Sequence, residues 1–160
     1  MKTVRILGID PGTGILGFGV IDFTNNKARL IDAGVVRTKV HQALDERLVE
    51  IYEAVQEIIA ANHPTMMSIE QLFFSRNVTT AISVSHARGV AMLAGKQAGL
   101  SIAEYTPMQI KQTVTGYGKA DKKQVQEMVR VTLGLTEVPK PDDCADALAA
   151  AITHALMARI

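Results

Sequence analysis

An aspartate interrupts the first apolar run of the chain. Asp10 follows Leu7, Gly8 and Ile9 and precedes the turn-forming residues Pro-Gly-Thr-Gly. A buried carboxylate without a partner is unfavourable, so such a residue is usually paired, protonated or bound to a metal. Taken alone, Asp10 is also compatible with a turn former, because Asp-Pro-Gly begins many turns.

Three further acids are candidates for the same site. Glu70 ends the apolar stretch MMSIE, and Asp143 and Asp146, in PDDCADALAAA, are spaced to project from one face of a helix. Like charges gathered closely repel one another, and divalent cations resolve that conflict. Oxygen ligands favour Mg²⁺ or Mn²⁺, and two such ions about 4 Å apart can drive in-line attack on a phosphodiester. Singly, Glu70 also fits a solvent-facing strand end, and Asp143 a helix cap or dipole partner.

The order of predicted elements explains how these acids can meet. β-Rich segments predict strands over 4–10, 17–23, 28–37, 66–70 and 101–106. Apolar periodicity and capping residues predict helices over 43–61, 79–98, from 107, over about 122–133, and from about 142 to near the end. The first three strands are joined by short turns and form an antiparallel meander, whereas helix crossovers make the last two parallel to the first. The prediction is an α/β fold with a five-stranded mixed sheet flanked by helices, with Asp10 and Glu70 at carboxyl ends of strands, where chemistry collects.

Composition narrows the class of protein. A chain of 160 residues with 48% hydrophobic residues and no linker predicts one domain over 1–160. The single cysteine, Cys144, excludes an internal disulfide and fits a cytoplasmic protein, and no apolar stretch approaches the roughly 18 residues of a membrane span. The net charge of +1 means that any nucleic-acid binding depends on basic residues clustered on one face.

Six sequence blocks together resemble the RuvC family of bacterial Holliday-junction resolvases. They are GIDPG (8–12) with GFGVI (17–21), IEQ-x-F (69–73), ARGVA (87–91), KQTVTGYGKADKKQVQ (111–126) and ADALA (145–149), in order, within a match over about 6–155. The resemblance implies a ribonuclease H-like fold, a homodimer, and Mg²⁺-dependent nicking of two opposed strands of a four-way DNA junction. It also implies a branch-migration complex as a partner. By position, the family's metal-binding acids fall on Asp10, Glu70, Asp143 and Asp146.

One departure from the family pattern bears on the metal site. Asp142 adds a carboxylate next to Asp143, and its spacing also allows it to share a helix face with Asp146. The register D-x-x-D-A-L-A favours Asp143 as the ligand, but the sequence does not decide between the two.

Basic residues for a polyanionic substrate are concentrated in one segment. Lys111, Lys119, Lys122 and Lys123 fall within thirteen residues around TGYGKADKK, and Arg76 and Arg88 can add to them. Lysines on a helix also commonly form a solvated face, a reading that applies to Lys123 in particular. The family resemblance places Lys111 and Lys122 near the active site, Lys111 with a catalytic role.

An aromatic pair follows the second acid. Phe73 and Phe74 come three and four residues after Glu70, so alternation allows one to be buried and the other exposed. An exposed aromatic side chain can stack on an unpaired base or open a junction. The family resemblance assigns this role to Phe73; a core role for both remains open.

We therefore predict a structure-selective endonuclease that uses two Mg²⁺ ions, with Mn²⁺ as a substitute. The apolar stripe of helix 79–98 is the expected dimer surface, on the strength of the family. Two alternatives remain open: a non-catalytic junction-binding module, and an actin-like phosphotransferase fragment. The second is less favoured because a second domain and a second nucleotide motif are not found.

Overall fold

A five-stranded mixed sheet forms the centre of the computed structural model, which describes residues 2–72 and 78–160. The strands are β1 (Val4–Asp10), β2 (Ile15–Thr24), β3 (Lys27–Arg37), β4 (Met66–Glu70) and β5 (Ser101–Tyr105), in the order β3-β2-β1-β4-β5. β1, β2 and β3 are antiparallel neighbours, while β4 is parallel to β1 and β5 to β4. This confirms the predicted mixed sheet. β2 begins two residues earlier than predicted because Ile15 already pairs with Arg37.

Five helices cover the sheet. They are α1 (Leu44–Asn62), α2 (Val78–Gln97), α3 (Pro107–Thr115), α4 (Lys122–Leu133) and α5 (Asp142–Met157). Among the described residues, none of these helices is long and apolar enough to cross a membrane.

Local signals in the sequence fix two helix starts. Thr106 caps α3 and Asp121 caps α4, and each forms a full capping box with the glutamine three residues later. Pro107 occupies the first turn of α3, where its missing N–H is not needed. These two helices therefore begin where predicted, which sets the positions of Lys111 and Lys122.

Alternation along β1 divides the core into two layers. Leu7 and Ile9 pack with α1 and α2 on one face of the sheet, whereas Ile6 packs with α3, α4 and α5 on the other. Asp10 is an even number of residues from Ile6 along the strand, so its side chain lies on the same face of the sheet as Ile6 and α5. On β4, Ser68 donates a hydrogen bond to the Ala150 carbonyl of α5 at 2.6 Å, so Glu70, two residues later, has the same orientation.

Close contact between α5 and the sheet depends on glycines. Gly8 pairs with Gly19 across β1 and β2, and Gly17 pairs with Asp10. A Cβ atom on Gly8 would overlap the carbonyl oxygen of Ala147, and one on Gly17 would overlap the backbone of Asp143. The glycines thus form a shallow track in which the small residues of α5 lie against the sheet, and this track brings Asp143 next to the end of β1.

We predict that Gly8→Ala lowers the free energy of unfolding by at least about 2 kcal/mol, because the added methyl group forces α5 away from the sheet. Chemical denaturation followed by circular dichroism measures the change.

Gly14→Ala is the matched control. A Cβ there meets only the end of the Arg47 side chain, at 3.4 Å, so a change within roughly 0.5 kcal/mol is expected. Equal destabilisation by both variants would contradict the proposed role of the glycine track.

Candidate active site

The four predicted acids come together at one end of the sheet. Asp10 and Glu70 end the neighbouring strands β1 and β4 on the α5 face, and Asp143 and Asp146 lie in the first two turns of α5. The carboxyl group of Asp10 is hydrogen-bonded to Asp143 and interacts electrostatically with Asp146 and Glu70. The structure therefore unites side chains from three distant parts of the chain.

Asp10 is the most perturbed acid of this group. Burial, followed by the negative charges of Asp146, Asp143 and Glu70, raises the pKa of Asp10 to about 8. A group with such a pKa holds a proton at neutral pH unless a cation compensates the surrounding charge. Strongly perturbed acids in a cleft are typical of functional sites.

Two lysines partly offset the negative charge. Burial and then Asp146 raise the pKa of Glu70, whereas the charge of Lys111 lowers it. The pKa of Asp146 is raised by burial and lowered by Lys122, whose Nζ lies 3.7 Å from its carboxylate. The net pKa shifts of all three acids named here, Asp10 included, are still upward, and burial is the largest cause of each.

The carboxylates are gathered but do not form a ready chelate. Over residues 2–72 and 78–160, no three His, Cys, Asp or Glu side chains converge closely enough to hold an ion. Asp10 instead shares a hydrogen bond with Asp143, and Asp146 turns toward Lys122. Packing of α5 against β1 and β4 holds the backbone of these acids in place. A group of hard oxygen donors with uncompensated charge fits a divalent cation such as Mg²⁺.

The predicted lysines separate into different surroundings. Lys111 of α3 and Lys122 of α4 line a cavity of about 300 Å³ together with Glu70 and Asp146. Lys123 lines a different groove, beside Tyr117 and Met128, and Lys119 is exposed in the α3–α4 turn. Adjacent lysines thus point to different surfaces because successive helical residues diverge. Phe73 and Arg76 lie outside the described residues.

Sequence reasoning missed how Arg88 of α2 supports the site. Its Nε donates a hydrogen bond to the Glu70 carbonyl at 3.0 Å, and its guanidinium pairs with Glu104 of β5. Arg88 therefore fixes the end of β4, directly at a candidate metal ligand. A cavity of about 170 Å³ lies beside this contact and is lined by Asp10, Glu70 and Arg88. The sequence had suggested a DNA contact for Arg88, and no local pattern reveals its actual partners.

Together, the mixed sheet and the acids at its central strand ends define a ribonuclease H-like nuclease. The family model described as crossover junction endodeoxyribonuclease RuvC matches residues 6–154. The chain belongs to this RuvC family.

Individual relatives and solved structures are consistent with the family assignment. The crossover junction endodeoxyribonuclease RuvC of Desulforamulus reducens is 53% identical over 150 residues, which cover 94% of this chain and 92% of the relative. A solved structure of T. thermophilus RuvC in complex with a Holliday junction substrate is 41% identical, with a TM-score of 0.92 over 98% of this chain and 95% of that one. The yeast mitochondrial resolvase Ydc2 is 13% identical with a TM-score of 0.69, covering 95% of this chain and 79% of that one. That last likeness concerns the fold alone.

Family membership bears on the alternatives raised by the sequence. An endodeoxyribonuclease family implies use of divalent metal and catalysis. It therefore favours a nuclease over a non-catalytic module or a phosphotransferase fragment.

The raised pKa of Asp10 makes a prediction about stability. In EDTA, we expect the free energy of unfolding of the wild type to fall as the pH rises from about 4 to about 8, because the unfolded chain releases this proton first. Asp10→Asn removes the ionisation, so at about pH 8 the variant should be more stable than the wild type by a few kcal/mol, up to about 5. Urea denaturation at several pH values measures this difference.

Two comparisons complete the experiment. Added Mg²⁺ should stabilise the wild type but not Asp10→Asn, since only the wild type keeps the full donor set. Asp45→Asn, at an exposed position of α1, should retain the wild-type pH dependence. If wild type and Asp10→Asn show the same pH dependence, the perturbed ionisation of Asp10 is disproved.

Proposed function

We propose that this chain resolves four-way DNA junctions by paired, symmetric nicks, through phosphodiester hydrolysis with two Mg²⁺ ions per site. The observation that supports this most strongly is Asp10, which is held among three other carboxylates and has a pKa raised to about 8. The relatives' names and the junction complex of T. thermophilus RuvC point to the substrate.

Each acid has a place in this proposal. Asp10 ends the strand beside that of Glu70 and interacts with the two aspartates of α5, so these four acids would together hold the ions. When bound, such ions lower the pKa of the attacking water and neutralise charge on the leaving 3′ oxygen. Lys111 and Lys122 line the adjoining cavity, where their charges suit the scissile phosphate. Mn²⁺ should substitute, since it prefers the same oxygen ligands.

The structure favours Asp143 over Asp142 as the metal ligand. Asp143 is hydrogen-bonded to Asp10. The side chain of Asp142, in contrast, is 57% exposed and forms an ion pair with Lys122 at 3.3 Å. We therefore assign Asp142 to holding Lys122 in place.

We expect Asp10→Asn and Asp143→Asn to reduce junction nicking by at least about a thousandfold, because each removes a charged ligand from the site. Junction affinity should change less than about threefold, since phosphate contacts to lysines persist. Cleavage of labelled synthetic junctions with Mg²⁺, and gel shifts in EDTA, separate the two effects.

Asp142→Asn is the matched control, and it should keep nicking within about tenfold of the wild type. Loss of nicking in Asp142→Asn with survival in Asp143→Asn would exchange the two assignments. Unchanged nicking by Asp10→Asn would refute the metal site.

DNA binding is proposed for the basic residues and one aromatic residue predicted from the sequence. Lys111 and Lys122 are the strongest candidates because they share a cavity with the acids. Lys119, Lys123 and Arg76 would contact more distant phosphates, and Phe73 would act at an opened crossover. A branch-migration helicase complex is proposed as a partner on family grounds.

A homodimer is proposed, since a junction with two equivalent strands needs two sites related by a twofold axis. α2 presents an apolar stripe to solvent, in which Val78, Ile82 and Leu93 are each about half exposed. Gly89 lies between Ile82 and Leu93, and a Cβ there would have no atom within 4 Å, so a second helix can approach closely.

We predict that Leu93→Glu weakens self-association roughly a hundredfold, because it buries a charge in the contact. Sedimentation velocity over a range of concentrations measures the shift, and paired nicking should become unlinked single nicking.

Val131→Glu is the matched control: Val131 and Leu93 are each 52% exposed, but Val131 lies on α4. It should associate like the wild type. If Val131→Glu dissociated the dimer and Leu93→Glu did not, the interface would have to be assigned to α4.

A further inference from the structure

An arginine of α1 lies over the turn that carries the first acid. Arg47 donates a hydrogen bond from Nε to Thr38 Oγ1 at 2.8 Å, and the Thr38 hydroxyl donates to the carbonyl of Thr13. Arg47 Nη2 lies 3.4 Å from where a Cβ on Gly14 would be. The guanidinium is therefore held over the Pro11–Gly14 turn, which follows Asp10.

The turn beneath this arginine is itself firmly held. Thr13 is buried, and its hydroxyl is 2.5 Å from that of Ser83 on α2. The Thr38 N–H donates to the Gly14 carbonyl at 3.1 Å. Contacts from α1, α2 and the end of β3 thus fix the turn, so Arg47 has a defined position relative to Asp10.

The guanidinium keeps unused donors. Nε is engaged by Thr38, but neither Nη group hydrogen-bonds to a described residue, and within the described part of the chain no carboxylate forms an ion pair with Arg47. Lys39, exposed just after Thr38, likewise has no ion pair there. Asp45 and Glu46 are exposed in the first turn of α1, so any anion affinity here comes from individual cations and not from net charge.

The location of Arg47 and Lys39 complements that of Lys111 and Lys122. Lys111 and Lys122 belong to α3 and α4, on the α5 face of the sheet, whereas Arg47 belongs to α1 on the opposite face. The acids lie at the carboxyl ends of β1 and β4, on the α5 face of the sheet. A DNA strand that crosses this end can therefore meet cations on both sides of the acids.

We propose that Arg47 and Lys39 form a second phosphate-binding site for the substrate strand, on the α1 side of the active site. This inference rests on the proposed nuclease function. A guanidinium with two free Nη groups offers the paired donors that phosphate oxygens accept. Because Thr38 holds Arg47 in place, little side-chain entropy is lost on binding. The site anchors the strand next to Asp10, at the turn where no side chain intervenes because residue 14 is glycine.

The test uses the full chain and a synthetic four-way DNA junction in EDTA, with affinity measured by fluorescence anisotropy over a range of salt concentrations. Arg47→Gln and Lys39→Gln should each weaken binding about three- to tenfold at low salt. Each should also reduce the slope of log K against log salt by about 0.9, the value for one lost phosphate contact. In Mg²⁺, nicking should recover at saturating protein concentration, because the acids are untouched.

Matched controls lie at the other end of β3. Arg29→Gln and Lys27→Gln remove the same charges from exposed positions and should leave both affinity and slope unchanged. Arg47→Gln also loses the contact with Thr38, so Thr38→Val, which removes that contact but keeps the charge, separates structure from charge. Lys39→Gln carries no such risk because Lys39 is exposed.

The outcomes are distinct. The second phosphate site would be overturned if Arg47→Gln and Lys39→Gln both kept the wild-type affinity and salt slope. It would also be overturned if the β3 control variants weakened junction binding equally. The same holds if Thr38→Val, which keeps the charge of Arg47, abolished junction binding. If the wild type itself neither bound nor cut the junction, the proposed function would fail, which is a different result.

Discussion

The close approach of α5 to the sheet is the constraint on which the site depends. Two of the four acids are on strands and two are on this helix, so their separation is set by how deeply the helix can lie. Glycines at positions 8, 17 and 19 remove the side chains that would hold it away. The Ser68 hydroxyl then binds the Ala150 carbonyl from below. Because these glycines have no side chains, α5 packs closely enough on the sheet to bring Asp143 within hydrogen-bonding reach of Asp10.

Electrostatic repulsion between the four acids opposes the close packing that brings them together. Buried acids crowded at one sheet end are unfavourable when ionised, and the raised pKa of Asp10 expresses this conflict. Lys122, paired with Asp142 and Asp146, relieves part of it from α4, and Lys111 relieves part from α3. In the proposed metal site, divalent cations would compensate the rest. The repulsion between these acids would then be relieved when the cations bind.

Local patterns in the sequence were sufficient to predict most of the fold. The strand bounds of β1 and β4 and the capping boxes at Thr106 and Asp121 depend on neighbouring residues alone, so they could be predicted. The positions of the four acids followed from strand ends and helix spacing. The contacts of Arg88 with Glu70 and of Thr13 with Ser83 could not be predicted, because they join residues 18 and 70 positions apart. Nor could the rotamers of the carboxylates, which depend on competition between Lys122 and the other acids.

The order in which the acids appear along the chain has a consequence for synthesis on the ribosome. β1 and β4 emerge with Asp10 and Glu70 long before α5 is translated, so the nascent polypeptide holds two of the four clustered acids and an uncovered apolar sheet face. Docking of α5 covers that face and completes the acidic cluster in one event. A product that ends before α5 lacks Asp143 and Asp146, so with the proposed site it could not cleave DNA until this part of the hydrophobic core has formed.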